Sequence, residues 1–336
     1  MSSYSCEIID STSKINESEW NNVLQNSEYA TVFHNLGYLR SIEQELERDA
    51  AHVLAYKNGN LVGLLPNFLH PVGKGTPFKR VVSLQPGSGA PVLTGGELDV
   101  LETILDGIHN FAGGMVVSHT IRSPVPVHLV TNGYLSDHGY RAIPGSRFEI
   151  DFEKDWETIR SNMSKDRRYD LRKANEQSCR ILDLEISQEN LDLYYDEYSK
   201  KMDEIDKPTK PKGFYETLFR ELDENIKLFA AEIDEEIRGF HFYFVDEYQS
   251  TIRHQWMAVL RENFEYYPGE LLHEHVIKWG INNGYDRYDF GGGKADLRSG
   301  TTKYKRQFGG DIVPFTSWEK EFSNVFKVGR FISRRL

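Results

Sequence analysis

Apolar residues recur along this chain with the spacing of helices in some stretches and of strands in others. The clearest strand pair is a hairpin, in which residues 53–56 and 61–69 are apolar runs separated by an Asn-Gly dipeptide typical of tight turns. A helix is predicted over residues 269–283, between a proline that suits a first helical position and a glycine that suits a stop. The alternation of such elements predicts an α/β (α+β) protein.

The hairpin pattern occurs a second time. Residues 55–63 and 231–239 share an alanine, a polar turn, a branched aliphatic residue and a glycine at identical spacing. Each is preceded by helical segments and followed by an apolar strand, a further strand, a helix and a short strand. This repeated order predicts one supersecondary unit used twice, with a boundary near residues 145–155. A chance match of a few positions is the alternative.

Charge and cysteine content exclude several classes of protein. The net charge of −11 argues against broad nucleic-acid coating, because phosphate binding requires a basic surface. Cys6 and Cys179 allow no disulfide framework and no thiolate zinc site. No apolar run approaches the roughly 20 residues that cross a bilayer, and the N-terminus lacks the features of a signal peptide. We therefore expect a cytoplasmic protein.

Candidate chemistry lies in residues 284–310. A short alternating strand ends at Asp289-Phe290, three glycines follow, and Lys303 and Lys305 flank an aromatic residue further on. Glycines allow a sharp turn or a close approach of a ligand to the backbone. An acidic residue at a strand end, bare backbone and two cations suit an anionic substrate in acyl transfer. A glycine-rich turn with surface lysines is the alternative.

This stretch resembles a known family signature. The FemABX-type aminoacyltransferases, which are relatives within the GNAT acyltransferase superfamily, carry a C-terminal signature similar to Tyr288-Asp289-Phe290-Gly291-Gly292, then Gly300, then Tyr304-Lys305-Arg306-Gln307-Phe308-Gly309-Gly310. The family usually has phenylalanine at the position of Tyr304. The resemblance implies a similar fold and a similar reaction.

The implied fold is two tandem GNAT-like subdomains, each with a mixed sheet flanked by helices. Residues 1–150 form the first subdomain, residues 151–318 the second, which carries the signature, and residues 319–336 a basic C-terminal tail. Members of the family often have a long helical arm in the second half. The absence of sustained heptads here predicts a form without that arm.

The implied activity is transfer of an aminoacyl group from aminoacyl-tRNA to an amine of a nucleotide- or lipid-linked cell-envelope precursor. The donor is then a co-substrate, with no bound cofactor. One alternative is an N-acyltransferase that uses acyl-CoA and acts on a polysaccharide or lipid precursor, and another is a non-catalytic tandem GNAT binding protein. The GNAT pyrophosphate signature, Gln/Arg-x-x-Gly-x-Gly/Ala, is absent, which argues against an ordinary acetyl-CoA enzyme.

The candidate site residues combine this resemblance with charge. Lys305 is expected to stabilise donor phosphate or the developing oxyanion, and Asp289 to act as a base or orienting group, with a structural turn carboxylate as its alternative. Lys165, Arg168 and Arg172 share one face of a helix predicted over 156–177 and are expected to bind phosphates, the alternative being a solvated face. The remaining substrate-binding candidates are Trp256, Tyr267, Lys303, Gly291 and Gly292.

No metal site is predicted. His273 and His275 flank Glu274, but the zincin spacing fails because the fifth residue is an isoleucine. His241 and His254 lie on predicted strands and are expected to be core residues with satisfied hydrogen bonds.

The tail, residues 319–336, combines aromatic residues with arginines, which predicts a basic amphipathic helix. Such a helix can bind the inner face of a membrane through anionic headgroups, which would make the protein peripheral there. The alternative is that its apolar face packs on the second subdomain.

Overall fold

The computed structural model describes residues 3–73, 75–84, 87, 89–94, 98–122, 129–293 and 299–323. The chain divides into two units: Met1–Pro144 together with Phe315–Leu336, and Gly145–Pro314. We call them the first and the second unit.

The first unit contains seven complete strands and four α-helices among its described residues. They are β1 (Tyr4–Ile9), α1 (Glu17–Gln25), α2 (Leu36–Glu45), β2 (His52–Lys57), β3 (Asn60–Leu65), β4 (Phe68–Pro71), β5 (Lys79–Val82), β6 (Val92–Leu93), α3 (Leu98–Phe111), β7 (Val116–Ile121) and α4 (Leu129–Asp137). Strands β1, β2, β3 and β6 form an antiparallel sheet in that order. Helix α3 has a buried apolar face, including Val100, Ile104 and Ile108, that packs with Val53 and Leu65 of this sheet.

The second unit holds the sequence motifs. Its elements are β8 (Arg141–Asp151), which begins at the end of the first unit, α5 (Trp156–Asn162), α6 (Lys165–Asn175), β9 (Cys179–Leu184), α7 (Gln188–Glu204), α8 (Lys212–Glu221), β10 (Ile226–Ile233), β11 (Glu236–Asp246), β12 (Thr251–Ala258), α9 (Pro268–Asn282), β13 (Arg287–Gly293), α10 (Gly300–Arg306) and the start of β14 (Asp311–Glu321). Helix α9 packs into the core of this unit through Leu272, Val276 and Ile277, as its apolar spacing indicates.

The sheet of the second unit opens between two parallel strands. The strand order is β8-β13-β12-β11-β10-β9, and only the β12–β13 pair is parallel. That pairing covers three positions and stops at Arg253 and Asp289, although β12 continues to Ala258 and β13 to Gly293. Backbone groups beyond these positions are therefore not paired across β12 and β13, and a gap lined by both strands begins there.

The repeated hairpin has the same register in both units. Ala55 pairs with Gly63 and Ala231 pairs with Gly239, and in each hairpin a β-bulge follows the alanine directly. The bulge adds one residue to one strand and increases the local twist. The two hairpins therefore agree in strand register and in the position of the β-bulge. This agreement favours a repeated supersecondary unit and disfavours a chance match of a few residues.

Close packing explains the glycine of each hairpin. A Cβ atom on Gly63 would lie 2.5 Å from Val100 Cγ1, and one on Gly239 would lie 2.7 Å from Val259 Cγ2. Both distances are too short for carbon atoms, so any side chain at either position requires the neighbour to move. The shared spacing thus reflects the same structural requirement in the two units.

Three details differ from the sequence predictions. The helix predicted over 156–177 is two helices, because Met163 is extended and Ser164 caps α6 by accepting a hydrogen bond from the Arg167 amide. The division between the units falls before Gly145, at the start of the boundary region predicted at 145–155, so residues 145–150 belong to the second unit and not to the first. Strand β14 returns to the first unit, where Trp318 to Glu321 pair with β7, so the second subdomain does not extend to residue 318.

The tail prediction is only partly within the described residues. Glu319–Glu321 are strand, not helix, and residues 324–336 lie outside the part of the chain that the structure describes. None of the described helices is long and apolar enough to span a membrane.

Candidate functional site

A pocket of about 470 Å³ lies in the second unit where β12 ends and α9 begins. Its lining comes from the end of β12, the 3₁₀ helix Arg261–Tyr266, the first turn of α9, α6 and α10. The lining residues are Arg167, Asp170, Met257, Val259, Phe264, Tyr267, Pro268, Gly269, Glu270, Gly300, Thr301 and Tyr304. Of the candidates predicted from the sequence, only Tyr267 is among them.

Arg167 organises the charged side of the pocket. Its guanidinium donates hydrogen bonds to Glu270 and, at 2.9 Å, to Gln307 Oε1. It also lies 4.7 Å from the centre of the Tyr304 ring and 4.6 Å from that of Phe308. Only 4% of the Arg167 side chain is exposed, so these partners hold it in one position. Arginine is suited to this role because its planar group stacks on rings while it donates in plane.

The cations predicted to bind phosphate lie elsewhere. Arg168 donates to the backbone carbonyls of Ser161 and Met163, at 2.8 and 2.6 Å, and so caps α5. Lys165 and Arg172 are exposed, and Arg172 stacks on the neighbouring Tyr169 ring at 5.2 Å. The structure therefore brings none of the three to the pocket and favours the alternative of a largely solvated face. Sequence reasoning missed Arg167, one residue away on the adjacent helix face.

Asp289 of β13 forms an ion pair with Arg253 of β12 at the point where these two strands separate. Its Oδ2 accepts a hydrogen bond from Arg253 at 2.8 Å, and its Oδ1 accepts one from the Gly291 amide at 2.7 Å. Arg253 also donates to Asp246 at 2.7 Å, and all three charged side chains are buried. Both oxygens of Asp289 are therefore engaged within the protein, which favours the structural or orienting role over that of a base.

Lys305 contacts the backbone of the glycine turn, residues 291–293. Its Nζ donates to the carbonyl oxygens of Gly291 and Gly292, at 3.1 and 3.0 Å. Burial lowers the pKa of Lys305, and the nearby Asp289 carboxylate opposes that effect. Gly291 has φ +80°, a conformation that favours glycine, and this exposes its carbonyl to the ammonium group. Lys305 thus contacts the predicted glycines directly, but it does not line the pocket.

Two other candidates are not part of the pocket lining. Trp256 belongs to an aromatic cluster, with its ring 5.1 Å from Tyr215 and 5.0 Å from Phe242, and Lys210 Nζ lies 4.9 Å from its centre. Lys303 is exposed on α10. Trp256 is therefore mainly a packing residue, which was the alternative for the aromatic residues.

The end of the signature docks α10 on the junction of α5 and α6. Gly309 has φ +76°, and a Cβ there would lie 2.7 Å from the carbonyl carbon of Asn162. A Cβ on Gly310 would lie 2.7 Å from the carbonyl oxygen of Glu149. Backbone atoms cannot move aside as a flexible side chain can, so both positions require glycine. This part of the signature is explained by packing.

Three histidines gather beside the pocket. His241 on β11, His254 on β12 and His273 on α9 each offer one ring nitrogen, and these nitrogens lie within 4.8 Å of one another. The Nε2 atom of each ring is buried and has no hydrogen-bond partner among the described residues. The expectation that His241 and His254 are satisfied core residues is therefore wrong for these atoms. The three are too far apart in sequence to form a recognisable metal-binding motif.

Comparison with known proteins gives one family match and several similar structures. Residues 161–306 match a family model described as an acetyltransferase (GNAT) domain. The crystal structure of FemX is similar with a TM-score of 0.72, at 12% identity over 93% of this chain and 96% of that chain. No curated protein sequence matches.

Two further structures are similar over nearly the whole chain. The C-terminal domain of a putative lysylphosphatidylglycerol synthetase from Agrobacterium fabrum has a TM-score of 0.59, at 11% identity over 96% of this chain and 95% of that one. A tandem GNAT protein from the clavulanic acid biosynthesis pathway has a TM-score of 0.56, at 10% identity over 95% and 98%. These likenesses concern the fold, and they confirm the predicted tandem GNAT-like α/β architecture.

Proposed function

Since this chain is an acyltransferase of the GNAT superfamily with a tandem GNAT fold, we propose that it transfers an aminoacyl group from aminoacyl-tRNA to an amine of a cell-envelope precursor. The observation that carries the choice of donor is the charge of the pocket. Its lining contains one cation, Arg167, and two carboxylates, Asp170 and Glu270, which gives a net charge of −1. The free α-ammonium group of an aminoacyl ester suits this charge, whereas a pyrophosphate opposes it.

The first turn of α9 supports the same choice. A helix N-terminus normally attracts phosphate through its free amides and its dipole. Here Glu270 places a carboxylate in that turn, and Arg167, the cation of the pocket lining, is already paired with it. A phosphate arriving at this helix end would meet a negative charge without a free arginine to offset it.

The reaction joins the amine nitrogen of the acceptor to the carbonyl carbon of the donor and breaks the ester C–O bond. The amine must lose a proton, and the departing tRNA hydroxyl must gain one. Tyr304 lines the pocket, and burial raises the pKa of its hydroxyl well above the ordinary value, so the group stays protonated and can donate a hydrogen bond to the departing oxygen, which takes up the proton that the amine loses. Lys305 does not line the pocket, but it uses only two of its three N–H groups on glycine carbonyls, so the third can serve a developing oxyanion that reaches the glycine turn.

Two structural neighbours support an envelope acceptor. One is by name a putative lysylphosphatidylglycerol synthetase, whose named product is a lipid bearing an aminoacyl group. The other, FemX, belongs by name to the type that the signature resembles. We therefore place the acceptor amine on a nucleotide- or lipid-linked precursor.

The test compares donors and one matched pair of variants. Purified protein is incubated with labelled aminoacyl-tRNA or labelled acyl-CoA and an extract of envelope precursors, and transfer of label is measured. We expect transfer from aminoacyl-tRNA, and a loss of at least about tenfold in Glu270→Gln, equivalent to about 1.4 kcal/mol. Glu265→Gln is the control, because Glu265 is exposed and does not line the pocket. Transfer from acyl-CoA alone, or an unaffected Glu270→Gln, would contradict the proposed donor.

An acyl-CoA donor is the second candidate. The family that matches is described as an acetyltransferase domain. Met257, Val259 and Phe264 make much of the pocket lining apolar, which suits an acyl chain. The donor comparison separates the two candidates directly.

A further inference from the structure

The three-histidine cluster has the arrangement of a ligand site. The ring centres of His241, His254 and His273 lie 4.6–5.1 Å apart in pairs, so each ring contacts the other two. They come from two strands and a helix of one unit, which hold them from three directions. A buried nitrogen without a partner destabilises a fold, and three at one place call for a common explanation.

Hydrogen bonds on the far side orient two of the rings. His241 Nδ1 lies 2.9 Å from the Tyr243 hydroxyl, which donates its own proton to the Leu272 carbonyl at 3.4 Å. His241 Nδ1 must therefore carry the hydrogen, and its Nε2 presents a lone pair. His273 Nδ1 lies 2.7 Å from the Tyr288 hydroxyl. Metal-binding histidines are commonly oriented by such partners on the second nitrogen.

We propose that His241, His254 and His273 bind one divalent transition-metal ion, with Zn²⁺ as the best match. Three imidazole nitrogens and one open position form the ligand set of a catalytic zinc site. Zn–N distances of about 2.0–2.1 Å place the nitrogens of a tetrahedral site roughly 3.4 Å apart, so nitrogens that lie within 4.8 Å of one another need to approach by at most about 1.4 Å. Water or a substrate atom completes the tetrahedron, since the group contains three members among the described residues.

A charged side chain faces the cluster. The Lys305 cation lies near His254, and burial together with this cation lowers the pKa of that ring to about 3. The same cation opposes the charge of a bound metal ion.

The cluster borders the proposed acyl-transfer site. A Cβ on Gly269 would lie 3.8 Å from His241 Nε2 and 3.4 Å from the Tyr304 hydroxyl, and both Gly269 and Tyr304 line the pocket. A metal ion here would be close enough to polarise an oxygen bound at that end of the pocket. The binding proposal itself does not depend on which donor the enzyme uses.

The test measures metal binding directly. Full-length protein is treated with a chelator, dialysed, and titrated with ZnCl₂ by calorimetry and with Co²⁺ by absorption spectroscopy. We expect one equivalent of each metal and the intense visible bands of tetrahedral Co²⁺. His254→Gln is expected to bind Zn²⁺ at least about 100-fold more weakly, and Tyr243→Phe about 10- to 100-fold more weakly. His275→Gln is the matched control on α9, since His275 lies outside the cluster against Phe229.

The result that overturns the proposal is binding well below one equivalent in the wild type, or equal Zn²⁺ affinity in His254→Gln and His275→Gln. Circular dichroism checks the fold of each variant. If His254→Gln does not fold, Tyr288→Phe replaces it, because that change removes an orienting hydroxyl and keeps all three ligands. Failure of metal binding leaves the donor experiment unaffected, so the two proposals fail separately.

Discussion

Replacing Asp289 separates a catalytic base from a structural carboxylate. Asp289→Ala removes an ion pair of 2.8 Å with Arg253 and the acceptor of the Gly291 amide, in a place where 7% of the carboxylate side chain and 5% of the arginine are exposed. Removing one partner of a buried pair costs roughly 3–5 kcal/mol. Arg253 keeps Asp246, so we expect the lower end, about 3 kcal/mol. Asp289→Asn keeps an acceptor for the amide and loses only the charge, for an expected cost of about 2 kcal/mol.

Urea unfolding at pH 7, followed by circular dichroism, measures these losses, and turnover is compared per folded molecule. Asp286→Asn is the control, because Asp286 is exposed and lies three residues before Asp289, and its change is expected within about 0.5 kcal/mol. We expect Asp289→Asn to lose stability and to retain most of its turnover. If Asp289→Asn is as stable as the wild type but inactive, the structural assignment is wrong and Asp289 is the base.

Three further changes test other parts of the structure. Lys305→Ala is expected to lose about 2–4 kcal/mol of transition-state stabilisation, which lowers turnover by about 30- to 1,000-fold. Lys303→Ala is the control and is expected to turn over at nearly the wild-type rate. Equal turnover in the two variants would show that Lys305 takes no part in the reaction. Gly309→Ala is expected to lower the free energy of unfolding, measured in urea, by about 2–4 kcal/mol. Gly113→Ala should change it little, because a Cβ atom at Gly113 meets open space. Similar losses in the two variants would contradict the packing argument. His52 is buried, and burial lowers its pKa to about 4, so the unfolded chain takes up a proton near pH 6.5 before the folded one does. The free energy of unfolding should therefore fall by on the order of 3 kcal/mol between pH 6.5 and 4, and this component should be missing in His52→Gln.

Much of the local structure could be predicted because its causes are local. Asn58 and Gly59 both have positive φ, as the turn between β2 and β3 requires, and the residue types there favour that conformation. Helix α9 begins at Pro268 and ends shortly before Gly284, as start and stop signals indicated. The repeated alanine and glycine spacing identified equivalent hairpins, since the same bulge and the same close contact impose the same residues twice.

The candidate site was predicted less well, because the sequence does not show which face of a helix is buried against a pocket and which is exposed to solvent. Lys165, Arg168 and Arg172 share a face by spacing, but nothing in the spacing says which face meets a pocket. Arg167 faces inward because Glu270, Gln307 and Tyr304, over 100 residues further along the chain, are there to receive it. The signature glycines were found by resemblance, whereas their reason, a clash with the backbone of distant residues, required coordinates.

The sequence by itself determined the elements, the hairpin repeat and the order that leads to a tandem GNAT fold, because turns, caps and apolar spacing act over a few residues. Only the tertiary structure decided that Asp289 pairs with Arg253, that β14 returns to the first unit, and that His241, His254 and His273 meet. These contacts join residues tens to hundreds of positions apart. Their energy depends on burial and distance, and the fold creates both.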